Sequence, residues 1–149
     1  MPPPIRLATP DDLPTLRRLM AAFYAESGYS LDEAAAARAL ADLVGGTSLG
    51  RIWLIESGGE PAGYVAVTFG FSLEYFGRDA FVDDLYLEPG FRGKGLGTRV
   101  LAAVEPLCRD LGVRALHLEV ERGNAPARRL YRRRGFRDND RQLLTKPLV

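Results

Sequence analysis

Cysteine is nearly missing: Cys108 is the only one in 149 residues, so no internal disulfide can form. It falls on the apolar stripe of an expected helix and reads as a small buried hydrophobe. A thiol nucleophile working with His117 is the minor alternative. Lysine is almost as scarce, with only Lys94 and Lys146, and His117 is the sole histidine. No metal site is expected. No apolar run nears the roughly 20 residues needed to span a bilayer. Met1-Pro2-Pro3-Pro4 lacks the basic start and apolar stretch of a signal peptide. A cytoplasmic protein is therefore expected. Charge of one sign is missing too: the net is only +1, despite many arginines. A field that would capture nucleic acid or an anionic membrane is not expected. What remains is a 46% hydrophobic chain of one-domain length, expected to fold as a single domain over 1–149.

Thr9-Pro10-Asp11-Asp12 suits a helix start, with a capping residue, proline at the first position and acids at the positive end. Leu13, Leu16, Leu19, Met20, Phe23 and Tyr24 then recur at helical spacing, up to Gly28. Ser30-Leu31-Asp32-Glu33 reads as a capping box for a second helix through about Leu43. Arg51 to Glu56 and Gly63 to Phe71 read as a hairpin around the turn at 57–60. Ala80 to Leu87 is a third strand, stopped by Pro89-Gly90. A helix from about Gly95 to Leu111 buries Leu96, Val100, Leu101, Val104 and Cys108, and Gly112 ends it. Ala115 to Val120 is a strand, Asn124 opens a short helix ending at Gly135, and Gln142 to Lys146 reads as a last strand. Consecutive strands joined by a helix argue for a parallel pair within a mixed sheet, an α/β fold.

The segment Arg92-Gly93-Lys94-Gly95-Leu96-Gly97-Thr98 lies between a strand and a helix. Glycines let the backbone approach a ligand closely, and the positive helix end favours anions. The combination suits a pyrophosphate. The dinucleotide fingerprint requires its third glycine at position 98, which is Thr98, and the Gly-Lys-Ser/Thr of the NTPase phosphate loop is absent. The alternative is a glycine-rich turn that serves chain geometry alone.

Arg92-x-x-Gly95-x-Gly97 resembles the acetyl-CoA signature of the GNAT superfamily of N-acetyltransferases. Asp84 to Gly93 looks like that family's central strand and turn. Asn124-Ala125-Pro126-Ala127-Arg128-Arg129-Leu130-Tyr131, closed by Gly135-Phe136, looks like its second motif. The two occur in family order, a helix and a strand apart. The fold implied is a mixed sheet with a splayed central parallel strand pair and flanking helices.

The resemblance implies that main-chain groups of Arg92, Gly93, Lys94, Gly95, Leu96, Gly97 and Thr98 hold the CoA pyrophosphate. Leu85, Tyr86 and Leu87 would receive the pantetheine arm and polarise the thioester carbonyl. Asn124 would touch the same arm, or serve as a helix N-cap. Tyr131 would protonate the departing thiolate, or be a core tyrosine. A phenol, with a reference pKa of about 10, holds its proton at neutral pH.

The acceptor amine must shed a proton, and a carboxylate in its cleft can accept it. Asp83 and Asp84 are neighbours on a strand and are expected to point to opposite faces. The stretch from Tyr75 to Tyr86 is similar to the family's polyamine-type members, which implies that Asp83 faces the acceptor. Those members usually carry Glu there, so Asp83 suggests a water relay. The alternative for Asp83 is an exposed or ion-paired acid. Tyr24, Glu26 and Tyr75 are candidates for the acceptor cleft. The crowd Arg128, Arg129, Arg132, Arg133 and Arg134 reads mainly as a solvated helix face. His117 reads as packed or exposed. The expected activity is transfer from acetyl-CoA to a small primary amine in a ternary complex. A protein lysine or N-terminal acceptor, or a non-catalytic acyl-CoA-binding module, is the alternative. The resemblance also implies a homodimer.

Overall fold

A computed structural model describes residues 2–149. The chain divides into two compact units that meet at Glu119 and Val120. The first holds β1 (Ile5–Leu7), α1 (Leu13–Glu26), α2 (Glu33–Leu43), β2 (Gly50–Ser57), β3 (Glu60–Ser72), β4 (Gly77–Leu87), α3 (Leu96–Asp110) and β5 (Ala115–Leu118). The second holds α4 (Ala125–Arg133).

The five strands form one sheet in the order β1-β2-β3-β4-β5. The first three pairings are antiparallel and β4–β5 is parallel. A parallel pair needs a crossover, and α3 supplies it. Alternation along the strands separates two cores. Trp53, Ile55, Val65, Val67, Ala80 and Val82 pack with Leu96, Val100, Val104 and Cys108 of α3. Ile52, Leu54, Tyr64, Ala66 and Tyr86 face the other way and pack with Leu16 and Leu19 of α1 and Leu40 of α2.

Several local expectations change. Residues 10–12 form a single 3-10 turn, and Asp12 accepts the Thr9 N–H at 2.8 Å, so α1 proper starts at Leu13. Asp32, not Ser30, caps α2: its Oδ1 accepts the Ala35 N–H at 3.0 Å. The Ser30–Glu33 spacing is coincidental, because the helix begins at Glu33. Strand β1 is not legible in the sequence, since three residues carry too little alternation to read. The strand expected at Gln142–Lys146 is absent; 134–149 holds no helix or strand. A strand exists only with a hydrogen-bonding neighbour, and the adjacent leucines 143 and 144 do not give a one-faced pattern.

Candidate active site

The glycine turn follows β4 directly. Gly93 and Gly95 sit at φ +77° and +78°, the left-handed region open to glycine, and Gly95 is the N-cap of α3. A Cβ at either would meet nothing within 4 Å, so the surface above the turn is open. Around the turn, the Arg92 N–H bonds Pro89 O and the Arg99 N–H bonds Gly95 O. The amides of Gly93 through Thr98 find no main-chain acceptor among the described residues. They include the first-turn donors of α3, where the helix dipole is positive. The Arg92 side chain is engaged elsewhere. It donates to Leu87 O at 2.8 Å and to Glu26 at 2.8 Å, and lies over the Tyr86 ring at 5.6 Å. Glu26, a candidate for the acceptor cleft, is thus the partner of Arg92.

β4 is paired unevenly. On one edge β3 accompanies it through Leu87. On the other, β5 pairs only from Asp79↔Ala115 to Val82↔Leu118. Leu85, Tyr86 and Leu87 therefore have β3 on one side and, among the described residues, no strand on the other. This is the splay expected of the central pair. The Tyr86 ring stacks on Phe23 of α1 at 5.1 Å, so only its main chain can serve the open edge.

The register between β3 and β4 slips at one point. Ala66 pairs with Asp84 and Val67 with Val82, which leaves Asp83 as the extra residue of a β-bulge. Val82 and Leu85 both pack toward α3. The two acids between them are therefore both turned to the opposite face. The expectation that they point apart is corrected: the bulge cancels one step of the alternation. Asp83 is exposed there. Asp84 is half-buried; it accepts from the Tyr64 hydroxyl at 2.8 Å and, more weakly, from Tyr24 at 3.4 Å. Burial, opposed by the Tyr64 hydrogen bond and reinforced by Asp83, pushes the Asp84 carboxyl up to about 6. Burial and the charge of Asp84 push the Tyr24 phenol up to about 12. Tyr24 also meets Phe23 and Tyr29 edge-on.

On the same face of β4, before the bulge, a contact joins residues the sequence reading left apart. His117 Nε2 lies 3.1 Å from Asp79 Oδ2. Tyr75, whose carbonyl accepts from Arg114 Nε, meets the imidazole edge-on at 5.5 Å. Nothing local marks this pair, because its members are 38 residues apart. Among the described residues no group of three or more His, Cys, Asp or Glu is placed to hold a metal. Among the described residues no helix is long and apolar enough to cross a membrane.

In the second unit, Asn124 Oδ1 accepts the Ala127 N–H at 3.3 Å, so it caps α4. Tyr131 is partly buried, meets Phe136 edge-on at 5.9 Å, and burial raises its phenol above the ordinary value. Arg132 and Arg133 occupy the last turn of α4, where positive charge suits the helix dipole.

A mixed sheet whose central strand opens beside a glycine-rich helix start defines an acyl-CoA-type transferase fold. The family model described as "Acetyltransferase (GNAT) family" matches residues 14–136, and the chain belongs to that family. Integron cassette protein HFX_CASS3, from the mobile metagenome of Cole Harbour salt marsh, is 46% identical. It superposes with a TM-score of 0.88 over 99% of this chain and 91% of that one. The thialysine N-epsilon-acetyltransferase of Bos taurus is 33% identical over 91 residues, 57% of this chain and 52% of its own. The streptothricin acetyltransferase of Streptomyces lavendulae is 34% identical over 82 residues, 55% of this chain and 41% of its own. The chain thus spans about half the length of the curated relatives it matches.

Proposed function

We propose that the protein transfers the acetyl group of acetyl-CoA to a primary amine of a small molecule, a diamine or polyamine, by direct attack in a ternary complex. The observation that carries this reading is the bulge at Asp83. It puts two carboxyl groups on one sheet face, where β4 loses its parallel partner and runs toward the glycine turn. A cationic acceptor is drawn to that face, and a thioester laid along Leu85–Leu87 is within its reach. Relatives named for thialysine and streptothricin support a small acceptor.

The amides of Gly93 to Thr98 hold the pyrophosphate, and the open edge of β4 receives the pantetheine arm. An ammonium has no lone pair, so a proton must leave before the nitrogen attacks. Asp83, being exposed, takes or relays that proton, while Asp84 shapes the cleft from below. The N–C bond forms as the C–S bond breaks. Tyr131, from its place in the family motif, protonates the thiolate. Cytoplasmic action and a homodimer complete the reading on the resemblance alone.

The test is thiol release from acetyl-CoA with pooled diamines, polyamines, amino acids, aminoglycosides and lysine peptides. Turnover confined to small polycations is expected. Binding of acetyl-CoA with no turnover on any acceptor would replace the enzyme with a non-catalytic module. Tyr131→Phe should lower turnover roughly tenfold to a hundredfold while leaving acetyl-CoA affinity within about twofold. Unchanged turnover, with thiol departure shown to limit the rate, would remove Tyr131 from its role.

A further inference from the structure

His117 has no part in the reaction as described so far. It stands on β5 opposite Phe81 in the parallel register. Leu116 and Leu118 join the α3 core, so the imidazole faces the other side of the sheet, the side of Asp83 and Asp84. The site around it is built. The Asp79 carboxylate, its side chain 13% exposed, meets Nε2 at 3.1 Å, and the imidazole itself is 21% exposed. The Phe81 ring lies 5.0 Å away and Tyr75 5.5 Å away. Gly70 leaves the carboxylate its space: a Cβ there would come within 2.8 Å of Asp79 Oδ1. A carboxylate oxygen accepts, so in the neutral imidazole this contact favours the proton on Nε2 and leaves the lone pair on Nδ1.

We propose that the Asp79–His117 pair is the terminal proton acceptor of the transfer, with His117 Nδ1 taking, through water, a proton lost by the acceptor ammonium. The inference rests on the acetyl-transfer reading. Asp83 lies two residues beyond Phe81 on the adjacent strand, so at most about 7 Å of rise and about 5 Å of strand spacing separate it from His117, a gap that a short chain of waters can bridge. Asp79 is a positioning residue: it fixes the tautomer and balances the imidazolium. The accounting closes. The ammonium nitrogen sheds two protons on its way to the amide. One balances the thiolate as it becomes a thiol. The other passes to Nδ1 and from there to solvent. The titratable groups in contact with the ring are Asp79 on β4 and Tyr75 in the β3–β4 turn; Asp83 and Glu119 lie further along β4 and just past β5.

Because His117 is the only histidine, a nitrogen-15 long-range NMR spectrum of the intact protein shows one imidazole. The Nε2–H tautomer is expected in the wild type and a mixture in Asp79→Asn; an Nδ1–H tautomer in the wild type overturns the proposal. In the kinetics, His117→Gln should lower kcat/KM for the amine about a hundredfold near neutral pH and abolish the acid limb of the pH profile. Acetyl-CoA affinity should stay within about twofold. Asp79→Asn, which keeps the shape of the pair, should lower kcat/KM for the amine with acetyl-CoA affinity unmoved. A folded His117→Gln enzyme with the wild-type profile overturns this inference and leaves acetyl transfer standing. A wild type that turns over no amine overturns both.

Discussion

The two halves of β4 have the same backbone and opposite uses. From Gly77 to Val82 the strand is held on both edges, and its side chains do the work: Ala80 and Val82 fill one core, while Asp79 grips His117 on the other face. From Leu85 to Leu87 one edge has no strand partner among the described residues, and the main chain lies open there, where the proposed function lays the thioester. The bulge at Asp83 is the boundary. It turns two acids to one face just where the second strand ends. In a single strand, then, side chains are engaged with both neighbours where pairing is complete, and the main chain is left open where it stops.

The sharpest way to break this comparison is at the main-chain end. Gly95→Asp puts a charged side chain at a left-handed residue facing the open turn. It should weaken acetyl-CoA binding by about a hundredfold or more, on the order of 3 kcal/mol, read by calorimetry on folded protein. Gly95→Ala carries only the backbone strain, about 1–2 kcal/mol, and should weaken it less. Wild-type affinity in a folded Gly95→Asp protein would show that the diphosphate docks elsewhere.

At the side-chain end, Asp83→Asn should lower kcat/KM for the amine about tenfold with acetyl-CoA affinity unmoved. A parallel loss of cofactor binding would erase the division between the two halves. Asp84→Asn should act on stability as well. The folded Asp84 carboxyl titrates near 6, above its ordinary 3.8. The folded state therefore holds this proton where the unfolded chain has lost it, and stability falls as pH rises from about 4 to 6. The contribution is at most about 3 kcal/mol. Subtracting the Asp84→Asn unfolding curve from the wild-type one should isolate that slope, and a flat difference would mean Asp84 is solvated.

The smallest effect is expected at Glu26. Its pair with Arg92 is half exposed on both sides, so Glu26→Gln should cost below about 1 kcal/mol of stability. Acetyl-CoA affinity should stay within about twofold, since Arg92 keeps Leu87 O and the proposed grip on the diphosphate is through the turn's amides. A large loss of affinity would make the Arg92 side chain part of the cofactor site.

The helical stripe Leu96–Cys108, the glycine turn and the strand before it were readable in the sequence, because each is local and repeats at a fixed period. The parallel pair followed from the strand-helix-strand order. The bulge was not readable: it is a slip in register against β3, and the string Val82-Asp83-Asp84-Leu85 does not record its partner. The Asp79–His117 contact was hidden for the same reason, since β4 and β5 meet only after the α3 crossover. Ser30 misled because it carries a capping pattern two residues ahead of the real cap, Asp32. Asn124 needed no choice between its two readings as far as the helix goes; its side chain caps α4.

Cys108 lies 2% exposed in the α3 core, and burial lifts its thiol to about 11. Disulfide reagents react with the anion, and this sulfur is both shielded and fully protonated near neutrality. The folded protein therefore adds almost no colour of its own when liberated CoA is followed with such a dye. The same reagent, added as the protein is denatured, turns that silent residue into a stoichiometric clock for the opening of the interior.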